Sequence, residues 1–329
     1  MNRQILLASR PTGWVDEANF RLVETPLPGV GEGQVLVRNH WLSLDPYMRG
    51  RMSEAKSYAK SVEIGEVMVG GTAGEVVDSR HPNFKAGDKV VGYLGWQLYG
   101  VAEGGALQKV DDRQIALSAY LGPVGMPGVT AWYGLQEICQ PKAGETVVVT
   151  AAAGAVGSVV GQLAKLAGCR AVGVAGGPEK CRYVVEELGF DACIDYKAGK
   201  LWEDLKAATP KGIDALFENV GGEIFDTLLG RMNAFSRIAL CGLIAQYNSE
   251  PYPMKNLGSV LVNRIRLQGF IVSDHLALWP RALQELAQGV AAGHIRYRET
   301  IAQGLENAPQ AFIGLLKGAN LGKQLVKLA

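Results

Sequence analysis

Residues 146–168, TVVVTAAAGAVGSVVGQLAKLAG, constrain the fold of this chain more than any other stretch. The run Thr146-Val147-Val148-Val149-Thr150 is β-branched throughout, which predicts a strand buried on both faces of a parallel sheet. Small residues and glycines follow at Ala151, Ala152, Ala153, Gly154 and Gly157. Val156, Val159, Val160, Leu163, Ala164 and Leu166 then fall on one helical face. A strand, a small-residue turn and a helix together give the context of a dinucleotide fingerprint. Such a turn lets backbone N–H groups and the helix N-terminus approach a pyrophosphate. The first glycine of G-x-G-x-x-G is here Ala152, so the turn alone also fits simple close packing of helix on strand.

The rest of the second half repeats the alternation. Strands are expected at 170–174, 192–195, 213–218, 236–242 and 266–272. Helices are expected at 178–188, 201–208, 223–230, 257–262 and 278–292. Six strands interleaved with helices predict an α/β fold with a doubly wound six-stranded Rossmann sheet. Residues 1 to about 120 instead show short strands between frequent turn signals, at 34–39, 66–71, 72–77 and 84–92. These predict a mostly β domain, a small barrel or sandwich. A last helix and a strand at 322–328 return to that first domain. The expected division is 1–124 with 306–329, and 125–305.

Composition narrows the function classes. A formal charge of +1 without a long Lys/Arg cluster gives nucleic acid or anionic lipid little to grip. No apolar run is long enough for a membrane span, and the N-terminus has too short an apolar core for a secretory signal. The five cysteines, Cys139, Cys169, Cys181, Cys193 and Cys241, are odd in number and lack a C-x-x-C pair. They are expected as free thiols in a reducing compartment, the cytoplasm.

The residues also bear on cofactor and chemistry. An NAD site places Asp or Glu at the end of the second Rossmann strand to bind the ribose hydroxyls. Here that strand ends Val174-Ala175-Gly176-Gly177, with Lys180 close behind and Arg182 and Tyr196 as further contacts. A carboxylate would repel a 2′-phosphate, whereas two glycines and a lysine accept one, so NADP is favoured. A catalytic zinc needs thiolate or imidazole ligands. No cysteine precedes Cys139, and His40 and His81 are the only histidines in the first domain. Neither a nucleophile–base pair nor paired carboxylates are evident, which leaves hydride transfer without a metal.

Five motifs in this order carry a resemblance. They are Leu44-Asp45-Pro46-Tyr47-Met48-Arg49, the stretch GMPGVTAW from Gly125 to Trp132, AAAGAVGS from Ala151 to Ser158, Glu218-Asn219-Val220-Gly221-Gly222 and Asn320-Leu321-Gly322-Lys323. With them the chain resembles the zinc-free medium-chain dehydrogenase/reductase superfamily, in the group of prostaglandin reductases, leukotriene dehydrogenases and alkenal and curcumin double-bond reductases. The resemblance implies a GroES-like small barrel for the first domain. It also implies NADPH-dependent reduction of the C=C bond of α,β-unsaturated aldehydes and ketones, with hydride passing to the β-carbon.

By the same resemblance Gly154, Ala155, Val156 and Gly157 hold the pyrophosphate, and Gly176, Lys180 and Tyr196 surround the 2′-phosphate. Asn219 and Gly242 lie along the cofactor, and Met126 and Thr130 border the nicotinamide. Phe270, Ile271 and Val272 face the carboxamide, with Asn320 reaching the same region. Tyr47 and Tyr247 are the phenols expected at the substrate oxygen. Ser273-Asp274-His275 stands where relatives often carry an aromatic, which implies a wider or more polar pocket. A zinc-free quinone reductase and a cofactor-binding sensor without turnover remain as alternatives. The superfamily associates as a homodimer through the edge of the Rossmann sheet, near 264–272.

Overall fold

A computed structural model describes residues 1–328. Contacts divide the chain into two compact units, one of 1–121, 299–320 and 324–329, the other of 122–298 and 321–323. The limits read from sequence, 124 and 305, lie a few residues beyond these.

The first unit begins with strands β1 (Asn2–Leu7), β2 (Phe20–Thr25) and β3 (Gln34–Ser43), then the single turn of helix α1 (Met48–Arg51). β4 (Thr72–Ser79), β5 (Lys89–Gly92), β6 (Tyr99–Glu103) and β7 (Gln108–Lys109) follow. β1 and β2 form their own antiparallel pair. The strand expected at 66–71 is absent. Leu6 bridges to Val67 in isolation, and Met68 donates its N–H to the carbonyl of Ile5. Gly70 and Gly71 close that segment, and glycine weakens a strand. A Cβ on Gly70 would press on Leu42, Trp96 and Met48, so this backbone packs as a filler of the core. That core gathers Ile5, Leu7, Leu42, Met48, Met68, Trp96 and Phe312.

The second unit opens with α2 (Met126–Tyr133), then β8 (Thr146–Thr150), α3 (Gly157–Leu166), β9 (Arg170–Ala175) and α4 (Pro178–Arg182). β10 (Ala192–Asp195), α5 (Leu201–Ala208), β11 (Ile213–Glu218), α6 (Gly222–Leu229) and β12 (Met232–Leu240) continue the alternation. α7 (Gly258–Val262), β13 (Arg266–Gly269) and α8 (Trp279–Ala291) complete it. The six strands form one parallel sheet in the order β10-β9-β8-β11-β12-β13. All five residues of β8, at the centre, are buried, as the run of β-branched residues predicts. β13 ends at Gly269 rather than at Val272. From Val272 the backbone coils into a 3-10 turn, so Phe270 and Ile271 form the connection.

The chain then returns to the first unit as β14 (Glu299–Gln303), α9 (Ala308–Leu316) and β15 (Lys323–Lys327). Leu325, Val326 and Lys327 pair antiparallel with Ser43, Leu42 and Trp41 of β3, giving a seven-stranded sheet. All five cysteines are free thiols. Among the described residues no helix is long and apolar enough to cross a membrane.

Candidate functional site

The turn after β8 is shaped by its smallest residues. Ala151 adopts φ +50, a conformation unusual for an L-residue. Its carbonyl folds over the turn and accepts the N–H of Gly154 at 2.9 Å. A Cβ on Gly157 would collide with that same carbonyl, so only glycine fits at the head of α3. Gly154, Ala155 and Val156 stay half-exposed just before α3, where Ser158 donates its N–H to the Gly154 carbonyl at 3.0 Å and Val159 donates to the Val156 carbonyl at 3.0 Å. Gly161, one turn on, lies against the face of Phe190, and a Cβ there would enter the ring. Gly157 and Gly161 thus have separate duties, a tight turn and close helix packing.

The end of β9 is equally bare. A Cβ on Gly176 would meet the Tyr196 ring and hydroxyl at 2.8–2.9 Å, and Gly177 has φ +98. Lys180 stands on α4 with its pKa lowered by burial and by the neighbouring Lys197 charge. The sequence reading missed a carboxylate here, because it arrives from the adjacent strand. Asp195 Oδ1 accepts the N–H groups of Gly177 at 2.8 Å and Lys197 at 3.0 Å. That oxygen is occupied by backbone, while the Lys197 charge acts on Lys180 beside a bare strand end. An anion relieves their repulsion, which fits a 2′-phosphate better than two ribose hydroxyls.

Asn219 follows β11 and is tied to β8. Its N–H donates to Thr150 Oγ1 at 2.7 Å and its Nδ2 to the Thr150 carbonyl at 2.8 Å. Glu218, fully buried, receives the N–H groups of Val220 at 2.6 Å and Gly221 at 2.7 Å on Oε1, while Oε2 has no partner. Burial pushes its carboxyl up to about 7, against the opposing pull of those backbone donors. Gly242, after β12, donates its N–H to the Glu218 carbonyl, and a Cβ there would meet the Tyr247 hydroxyl at 3.2 Å. Gly154, Gly176, Asn219 and Gly242 therefore all follow the carboxyl ends of neighbouring strands, where ligands bind in open α/β sheets.

Met126 heads α2, with its carbonyl accepting Thr130 Oγ1 at 2.7 Å. Phe270 packs in the same unit, 5.3 Å from the Tyr133 ring and 6.2 Å from Phe217, while Ile271 and Val272 are half-buried behind it. His275, in the segment expected to widen the pocket, stacks on Tyr133 at 4.2 Å.

Tyr47 and Asn320 belong to the other compact unit. Tyr47 immediately precedes α1, and its phenol is held well above the usual range by burial and by nearby Asp45. The Arg51 guanidinium lies 5.6 Å from its ring and 4.6 Å from that of Tyr58. Tyr93, 66% exposed, stands near the same Asp45, Tyr58 and Arg51 charges. Sequence reading named neither Tyr58 nor Tyr93, since nothing in their local pattern distinguishes them. Asn320 is buried between α9 and β15. Among the described residues no three His, Cys, Asp or Glu side chains group to hold a metal ion.

Comparison with known proteins gives consistent results. The family described as the N-terminal domain of oxidoreductase matches residues 3–110, and that described as zinc-binding dehydrogenase matches 155–288. The chain is 52% identical over 335 residues to the NADPH-dependent curcumin reductase of Escherichia coli (strain K12), covering 100% of this chain and 97% of that one. It is 42% identical over 336 residues to the NADP(+)-dependent 2-alkenal reductase of Nicotiana tabacum, covering 100% and 98%. The crystal structure of CurA in complex with NADPH from Vibrio vulnificus matches with a TM-score of 0.95 at 48% identity, over 99% of each chain.

Proposed function

The chain belongs to the zinc-free medium-chain dehydrogenase/reductase superfamily, in the group of curcumin, alkenal and prostaglandin reductases, and on that premise we propose that it reduces the C=C bond of α,β-unsaturated aldehydes and ketones with NADPH. The observation that carries the cofactor is the bare end of β9 facing Lys180 and Lys197.

Gly154, Ala155, Val156 and Gly157 hold the pyrophosphate, and Gly176, Lys180 and Tyr196 hold the 2′-phosphate. Asn219 and Gly242 line the ribose side. Met126, Thr130, Phe270, Ile271, Val272 and Asn320 take the nicotinamide end. NADPH so bound supplies a hydride to the β-carbon of the substrate. Negative charge then develops on the substrate oxygen, and a phenol donates a hydrogen bond to it. Tyr47 and Tyr247 take this role by resemblance. Tyr47 suits it physically, because its phenol carries a proton at neutral pH and can donate it in a hydrogen bond. The α-carbon is protonated in the last step, and no strong base is required of the protein.

We also place a homodimer contact at the outer strand β13 and α7. There Leu257, Leu261, Val262 and Leu267 are exposed beside an open sheet edge. Free thiols throughout accord with a cytoplasmic location.

NADPH oxidation followed at about 340 nm tests the activity against an alkenal, an aryl enone, a quinone and a saturated aldehyde, each repeated with NADH. Rapid turnover of the enones with NADPH, and none of the saturated aldehyde, is expected. Turnover of the quinone alone would move the chain to the quinone reductases. Tight NADPH binding with no turnover would make it a sensor.

A further inference from the structure

The sheet of the second unit has a second, differently built end. At the amino ends of its strands lies a cleft of about 480 Å³ lined by Lys142, Glu145, Asp214, Arg237, Arg264 and Arg266, with Gln140, Phe235 and Ser236. β12 makes the cleft by an irregularity. Ile213 pairs with Met232 but Ala215 pairs with Arg237, so residues 233–236 loop out of the ladder. Phe235 at the tip of this excursion has φ +62, and its N–H donates to the Asn263 carbonyl at 2.7 Å.

The charges around the cleft do not balance. Four cationic side chains meet two carboxylates, a surplus of two positive charges. Both carboxylates are already engaged. Glu145 accepts Arg237 Nη1 at 3.1 Å and Nη2 at 2.6 Å, and the Lys142 N–H at 2.8 Å. Asp214 accepts the Thr146 N–H at 2.9 Å and Asn233 Nδ2 at 2.7 Å. Arg237 is equally spent, since its remaining donors go to the carbonyls of Cys139, Gln140 and Asp214.

The surplus therefore sits on Lys142, Arg264 and Arg266. Arg266 gives one bond to the Ile138 carbonyl and Arg264 one to the Val262 carbonyl, each keeping further N–H donors. Among the described residues no acceptor is bonded to Lys142 Nζ. Ser236, 1% exposed, forms part of the wall, and its Oγ is buried without a hydrogen-bond partner.

Backbone strain concentrates at the same place. Among the described residues four non-glycine residues have positive φ: Gln140, Phe235 and Arg264 line this cleft, and the fourth is Ala151 of the turn after β8. Such a conformation is strained and persists where the surroundings hold it.

We propose that this cleft is a second binding site for a small dianion, a phosphate group either free or carried as a phosphomonoester. A phosphate carries about two negative charges at neutral pH, matching the surplus, and its oxygens suit the forked donors of arginine. Phe235, 68% exposed with the Arg264 guanidinium 4.6 Å from its ring, offers a flat apolar rim for an attached organic group. The site lies at the amino ends of the strands, whereas Gly154, Gly176, Asn219 and Gly242 follow the carboxyl ends, so cofactor and dianion bind together.

Calorimetric titration of the NADPH-saturated protein with inorganic phosphate and with phenyl phosphate tests this, since saturation blocks the Lys180 region. The comparison is the variant Lys142→Gln, an exposed position outside the proposed catalytic and cofactor sets and outside the elements of the proposed dimer contact. Stoichiometric binding to the wild type, weakened at least about tenfold in the variant, is expected. Tighter binding of phenyl phosphate identifies the ligand as a phosphomonoester, and equal binding identifies it as free phosphate. Unchanged affinity in the variant, or no saturable binding to the wild type, overturns the proposal. Equal thermal midpoints of wild type and variant without phosphate check that the fold is kept.

Discussion

Glu218 shows how a single side chain is defined by its surroundings. In the sequence it is one more acid before Asn219-Val220-Gly221-Gly222, and only its complete burial at the end of β11 makes it unusual. Its carboxyl rises from an ordinary value near 4.5 to about 7. The folded state then binds the proton more tightly than the unfolded state does. The stabilisation is full below about 4.5 and is lost as pH rises through 7. Glu218→Gln keeps an oxygen acceptor for the two N–H groups and cannot ionise. Denaturant unfolding is expected to show the variant gaining on the wild type between pH 5 and pH 8, by up to roughly 3 kcal/mol. A stability difference that stays constant with pH would refute this account of Glu218. Asp195 was illegible for a related reason. It lies on β10, and only strand pairing brings it to Gly177.

At the scale of elements, the parallel sheet was readable because each buried strand is a short run of apolar residues between turn signals. β11 spans 213–218 and α5 spans 201–208, as the periodicity predicts. The segment at 66–71 misled, because apolar alternation records burial and not hydrogen bonding to a neighbour. The helix predicted over 178–188 is α4 followed by a π-helical stretch from Tyr183 to Glu187, a change in hydrogen-bond spacing that leaves the apolar pattern intact. Gly161 tests the packing of α3. Gly161→Ala drives a methyl into the Phe190 ring, and overpacking of this kind costs about 1–3 kcal/mol. Thermal unfolding should show a lowered midpoint, restored in part by adding Phe190→Leu. A variant as stable as the parent would mean that α3 shifts freely on the sheet.

For the whole molecule, the outer strand β13 carries the proposed dimer contact. Leu261 is 81% exposed and Val262 67% exposed beside it. Leu261→Asp with Val262→Asp is expected to convert a dimer to a monomer, read as a halved mass by light scattering. An unchanged mass would place any dimer contact elsewhere. The sequence by itself determined the α/β class, the six-stranded sheet, the glycine-rich turn after β8 and the family. Each of these is written in local patterns of size, polarity and backbone freedom. Tertiary structure alone decided that Asp195 serves Gly177, that Glu218 is buried with one oxygen unpartnered, and that Lys142, Arg264 and Arg266 share one cleft. These depend on which distant residues the strand order brings together. Charge and solvation act through distances in space, and a sequence records only distance along the chain.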